Sequence, residues 1–92
     1  MILEKMITIK NKQGLHARPA ALFVQIANKF SCEITVSKGR QKVNGKSIMG
    51  IMMLEAGAGS KVTIAANGDD AEKAISDLSA LLSNENMDDF AI

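Results

Sequence analysis

Three stretches of the chain alternate strictly between hydrophobic and polar residues. Ile7 and Ile9 point one way while Thr8 and Lys10 point the other, the period-two pattern of a strand with one buried face. The pattern returns at Cys32, Ile34 and Val36 against Glu33, Thr35 and Ser37, and again at Val62, Ile64 and Ala66 against Lys61, Thr63 and Ala65. Lys38-Gly39 turns the chain after the second stretch, and residues 40–43 read as a short returning strand that Asn44-Gly45 breaks. Elsewhere the period lengthens. Ala20, Phe23, Ala27 and Phe30 recur at helical spacing, supported by Leu22 and Ile26, and predict a helix from near Ala17 to about Asn28. Pro19 suits its first turn, where a missing N–H has no partner to lose. Ser47 precedes the apolar run 48–54, which predicts a short helix capped by that hydroxyl, and Gly57 and Gly59 end the unit. Asp69 and Glu72 are spaced as a capping box for a last amphipathic helix, whose apolar stripe is Ala71, Ala74, Ile75, Leu78, Leu81 and Leu82.

The element order is therefore β-α-β-β-α-β-α. Short hairpin spacing between the second and third strands favours a mostly antiparallel sheet with helices on one face, an α+β fold. With no repeat, linker or low-complexity tract, residues 1–92 are expected to form a single domain. Residues 87–92, with Asp88 and Asp89, are expected to be a frayed tail without function.

Composition changes the picture mainly by exclusion. Hydrophobic residues make up 47% of 92, too many for a disordered segment. Eleven Lys and Arg against ten Asp and Glu leave a net charge of +1, which provides no field for nucleic-acid backbones. An RNA-recognition module of similar element order would stack bases on sheet aromatics, and none of the predicted strands contains one. The lone Cys32 and lone His16 can form neither a disulfide framework nor a zinc cage, so no metal or other cofactor is expected. Cys32 reads as a buried small hydrophobe. Glu4 and Lys5 interrupt the apolar start before a signal-peptide core could form. The run 48–54 is far short of the roughly 20 residues a membrane helix needs. The expectation is a cytoplasmic protein without membrane insertion. No paired carboxylates or glycine-rich nucleotide loop suggest an enzyme with its own pocket.

The informative chemistry is at residues 16–19. His16 stands immediately ahead of a helix that opens Ala17-Arg18-Pro19. The first N–H groups of a helix lack intrahelical partners, and with the helix dipole they form an anion site. A phosphate there would be held by the backbone N–H groups of Ala17 and Arg18, with the Arg18 guanidinium adding charge-assisted hydrogen bonds. An imidazole ordinarily titrates near neutrality, so a neutral ring with a lone pair for attack on phosphorus is available. From the residues alone, an ordinary helix cap at His16 and a solvated Arg18 fit equally well.

The run Gly14-Leu15-His16-Ala17-Arg18-Pro19-Ala20 resembles the active-site motif of HPr, the histidine-containing phosphocarrier of the bacterial sugar phosphotransferase system. A second run, Val43-Asn44-Gly45-Lys46-Ser47-Ile48-Met49-Gly50-Ile51-Met52-Met53-Leu54, resembles that family's signature around its regulatory serine. The likeness extends from about Glu4 to the mid-eighties. It implies an open-faced β-sandwich of four antiparallel strands with three helices on one face. It implies that His16 accepts a phosphoryl group at Nδ1 (a pros-phosphohistidine) from phosphoenolpyruvate via enzyme I and passes it to enzyme IIA, with Arg18 stabilising the group in transit. On this reading the protein is a carrier and not an enzyme. In many bacteria the matching serine is also phosphorylated by an ATP-dependent kinase, HPr kinase/phosphorylase. Ser47 is therefore a candidate regulatory site, and a transcription regulator a candidate partner.

Ile48, Met49 and Met52 are the candidate docking surface, with Ile51 and Leu54 the better core residues of the short helix. Methionine makes adaptable contacts, which suits a carrier that fits several partners in turn. The resemblance implies that the first helix completes this face, with Ala21, Gln25 and Asn28 bordering it. A carrier that exposes its site is expected to be a monomer. Two alternatives within the family are an effector acting through phosphorylated Ser47 and a carrier of the nitrogen-related branch.

Overall fold

The structure is a computed structural model, and it describes residues 2–84. The expected tail at 87–92 lies outside the described residues. Seven elements follow in order: β1 (Ile2–Thr8), α1 (Ala17–Ala27), β2 (Glu33–Lys38), β3 (Gln41–Asn44), α2 (Ile48–Met53), β4 (Lys61–Asn67) and α3 (Ala71–Ser83). The strands hydrogen-bond in the order β1-β4-β2-β3, and each neighbouring pair is antiparallel.

The period-two pattern decides which side of this sheet is covered. In the register, Ile7 pairs with Val62, Val36 with Ile64, and Ile34 with Ala66, so the apolar positions line one face. All of these are buried, whereas Thr35, Ser37, Thr63 and Ala65 on the other face are only half-buried and Met6 is exposed. The helices cover the apolar face: α3 packs on β1 and β4, α1 on α3 and α2, and α2 on β3. Phe23, Leu78, Leu81 and Leu82 complete the core with no exposed surface. Each such side chain contributes on the order of 1.5–3 kcal/mol relative to an exposed one. The result is the expected α+β, open-faced sandwich.

The ends of elements differ from the sequence reading by a residue or two. The helix predicted to reach Asn28 ends at Ala27, with Asn28 as its C-cap. Ile9 and Cys32 are buried as expected, but each sits one residue outside a regular strand. Ile9 is tied instead to the loop before β4, donating to Ser60 and accepting from Gly59, both at 2.8 Å.

One prediction is corrected. The residue capping α3 is Asp70, not Asp69, and its side chain makes no capping bond to the helix, so the Asp69–Glu72 box does not form. The reason is a competing pair of donors. The backbone N–H groups of Ser31 and Cys32, in the turn ahead of β2, donate to the two carboxylate oxygens of Asp70 at 2.7 and 2.9 Å. These bonds hold the Asp70 carboxyl below its ordinary range, the Ser31 donor having the largest effect. Burial pushes the neighbouring Cys32 thiol up, and Asp70 adds to that, which keeps the sulfur protonated and unreactive.

A depressed carboxyl in the folded state contributes stability above the ordinary carboxylate pKa of about 3.9 and loses it as pH falls through the lower folded value. Asp70→Ala is therefore expected to melt below the wild type at pH 7, and the gap in Tm is expected to close as pH falls below about 4. Thermal unfolding followed by circular dichroism between pH 7 and pH 2.5 checks this. A gap that stays constant with pH contradicts it.

Candidate functional site

The loop that leads into α1 is fixed before it reaches His16. Gly14 donates its N–H to Asn11 O at 3.3 Å, closing a turn, and Leu15 donates to Ala56 O at 2.7 Å. Gly14 has φ +69°, and a Cβ at that position would lie 2.7 Å from both Ala56 O and Gly57 Cα. Only glycine fits there without displacing main chain, since left-handed φ and close backbone approach coincide. Leu15 is fully buried, and His16, Ala17 and Arg18 emerge from it exposed.

His16 is the N-cap of α1, with extended backbone (φ −123°, ψ 155°) and no side-chain capping bond, so its ring is not engaged by the helix it precedes. The next residue, Ala17, has φ +45°. A left-handed non-glycine residue costs of order 1–3 kcal/mol, and the surrounding structure must hold it in place. Here it turns the chain sharply between the extended His16 and the right-handed helix. Pro19, buried in the first turn, removes no hydrogen bond.

The second part of the site is α2. Ser47 is its N-cap, and Oγ accepts from Gly50 N–H at 3.1 Å. Ile51 and Leu54 point into the core at 0% and 2% exposure, while Ile48 and Met52 are 43% exposed and Met49 72%. Met53, which the sequence reading passed over, is 62% exposed and lines a shallow groove with Met49, Met52 and Glu55. Its position was legible in principle: two residues from buried Ile51 is the opposite side of a helix.

Two sets of side-chain bonds hold α2 in place. At its C-terminal end, Lys38 Nζ donates to Glu55 O at 3.1 Å and Leu54 O at 3.4 Å, and Gln41 Nε2 donates to Met53 O at 3.1 Å. Ahead of its N-terminus, Asn28 Nδ2 donates to Val24 O at 2.9 Å and Lys46 O at 3.3 Å, and Lys46 Nζ donates to Phe30 O at 2.6 Å. The end of α1 is thereby joined to the segment before Ser47. Gln25 and Asn28 are exposed on this side and Ala21 is half-buried. Among the described residues, no three His, Cys, Asp or Glu side chains are grouped so as to hold a metal ion. No described helix is long and apolar enough to cross a membrane.

The family model of the PTS HPr component phosphorylation site matches residues 3–84. The chain belongs to the HPr family. The HPr-like protein Crh of Halalkalibacterium halodurans is 49% identical over 84 residues, 91% of this chain and all of that protein. The crystal structure of HPr-C-His from Thermoanaerobacter tengcongensis is 59% identical, covers 87% of this chain and 90% of its own, and gives a TM-score of 0.85. A crystal structure of Crh from Bacillus subtilis, described as a swapped dimer, is 45% identical, covers 89% of this chain and 93% of its own, and gives a TM-score of 0.71.

The HPr fold thus carries His16, Ala17 and Arg18 together at the start of α1, and Ser47, Ile48, Met49 and Met52 along α2, which packs against α1. The bacterial phosphotransferase system is the family's setting. Besides Met53, what sequence reasoning missed belongs to the supports: Ala17's backbone angle, and Lys38 and Gln41, which reach α2 from the β2–β3 hairpin.

Ser47→Ala removes the side-chain bond that caps the amino end of α2. The expected loss is about 1 kcal/mol, read as a lower urea midpoint with an unchanged denaturant slope. An unchanged midpoint means the cap is energetically idle.

Proposed function

We propose that the protein is a phosphocarrier that accepts a phosphoryl group from phosphorylated enzyme I on His16 and passes it to enzyme IIA components for sugar uptake. The observation that carries this reading is an exposed imidazole with no capping bond, set by a clamped loop at the amino end of an eleven-residue helix. In the transfer the bond from phosphorus to enzyme I breaks as a bond to Nδ1 of the His16 ring forms. The ring gives up one proton, which passes to the enzyme I group that loses phosphorus, and the three phosphoryl oxygens keep their charge. Backbone N–H groups of Ala17 and Arg18 and the Arg18 guanidinium are the donors for those oxygens. Onward transfer reverses the same step toward a partner histidine or other acceptor on enzyme IIA. The protein acts in the cytoplasm, as substrate of one protein and donor to the next, and turns over nothing on its own.

Intact-mass spectrometry after incubation with enzyme I, Mg²⁺ and phosphoenolpyruvate tests this. One added phosphate, lost in acid and absent from His16→Ala, is the expected result. An unmodified wild type beside an active enzyme I contradicts the carrier role.

The exposed α2 surface is the proposed docking site for both partners, with Ala21 and Gln25 at its border. Met49→Glu is expected to slow transfer to enzyme IIA about tenfold, equivalent to ~1.4 kcal/mol of lost binding. Its stability should change by no more than about 0.5 kcal/mol, because the side chain touches little of the core. Rapid-quench transfer assays and urea unfolding measure the two quantities, and an unchanged transfer rate removes Met49 from the interface.

A second reading rests on the 49% identity to Crh. In it the protein is a regulatory effector, modified at Ser47 by HPr kinase/phosphorylase and bound by a transcription regulator. A phosphate on Ser47 would place about two negative charges beside Ile48 and Met49 and change docking more than folding. The monomer suited to a carrier has its counterpart in the swapped dimer of the solved Crh relative.

A further inference from the structure

Asn11 lies in the loop between β1 and α1 and is 1% exposed, with buried apolar neighbours Ile9 and Leu15 in the sequence around it. Its Nδ2 donates to Gly14 O at 2.9 Å, its main-chain oxygen accepts from Gly14 N–H at 3.3 Å, and its Oδ1 has no partner among the described residues. A buried amide with an empty acceptor is unfavourable. An apolar side chain of the same size would bring no empty acceptor into the core, at the loss of one bond to Gly14 O. The amide is therefore out of place as a packing residue, and its one bond has a specific effect. It closes the Asn11–Gly14 turn a second time, over the main-chain bond, at the residue whose left-handed backbone sends Leu15 to Ala56 and His16 into solvent.

We infer that Asn11 is a positioning residue for the phosphoryl acceptor: its side chain fixes the turn that sets His16 and the left-handed Ala17 relative to the start of α1. The inference rests on His16 being the acceptor. Main-chain anchors lie on both sides of the turn, Lys10 N–H to Leu82 O at 3.0 Å and Leu15 N–H to Ala56 O at 2.7 Å, so the loop remains attached without the amide. What Asn11 governs is the span 11–14 between those anchors and the geometry it hands to the next residue. Function in this place outweighs stability, as at other sites where a local rule of packing is broken.

The test compares wild type with Asn11→Leu, and with Asn11→Ala in case leucine does not fit. Three quantities are measured: Tm, the initial rate of phosphate transfer from phosphorylated enzyme I, and amide hydrogen exchange at Leu15, His16 and Ala17. Asn11→Leu is expected to melt near the wild-type temperature, the lost bond to Gly14 O being offset by removal of the empty amide acceptor, to exchange faster at His16 and Ala17, and to accept phosphate roughly ten- to a hundredfold more slowly. A merely structural amide would not separate stability from rate in this way. A variant with wild-type rate and wild-type exchange overturns the inference, as does a rate loss that only tracks a fall in Tm. If the wild type itself takes no phosphate from an active enzyme I, the carrier reading fails. Exchange at His16 and Ala17 at unchanged Tm then still decides whether Asn11 fixes the loop.

Discussion

The short hydrogen bond from Leu15 N–H to Ala56 O joins the loop ahead of α1 to the loop after α2, which the bonds of Ile9 with Gly59 and Ser60 also hold together. One precedes α1 and carries His16; the other follows α2 and ends the exposed methionine surface. Because Gly14 approaches Ala56 and Gly57 too closely for a side chain, the contact is made main chain to main chain. Its geometry then depends little on neighbouring side chains. With Leu15 fully buried beside it, the segment carrying His16 and the end of α2 are held in one unit. Ala17 can hold its unfavourable backbone angle only because the preceding residues cannot relax.

Much of this was legible in the sequence wherever local chemistry and tertiary packing agree. Ile34, Val36, Val62, Ile64 and Ala66 alternate because one face of the sheet is covered, and the structure buries all five. Ser47 caps α2 because its hydroxyl has no stronger partner nearby. Ile51 and Leu54 are inside because a short helix lying on a sheet buries one side only. The place of His16 ahead of α1 was readable for the same reason, Pro19 marking the first turn.

The failures with the widest reach share a physical cause: a side chain was claimed by donors or acceptors far away in sequence. Asp70 serves Ser31 and Cys32, thirty-eight or more residues back, so the local spacing of Asp69 and Glu72 decided nothing. Lys38 and Gln41 look like solvated hairpin residues until α2 is set beside them. Asn11 looks like an ordinary turn residue and lies in the core. Ala17 carries no signal at all, since a left-handed alanine follows from constraints on both sides of it.

The capping of α2 from the hairpin has a kinetic meaning. With its carbonyls at Met53, Leu54 and Glu55 held by Lys38 and Gln41, and its amino end held by Ser47, the helix backbone has little freedom left to adjust to a visitor. Whatever accommodation successive partners require must come from rotation about methionine side-chain bonds, which occurs in picoseconds to nanoseconds. A surface of that kind needs no slow backbone rearrangement before or after each encounter, so association is limited by collision and orientation, and release by the quality of the individual contacts. A protein with such a surface can leave one partner for the next without waiting for its own fold to change.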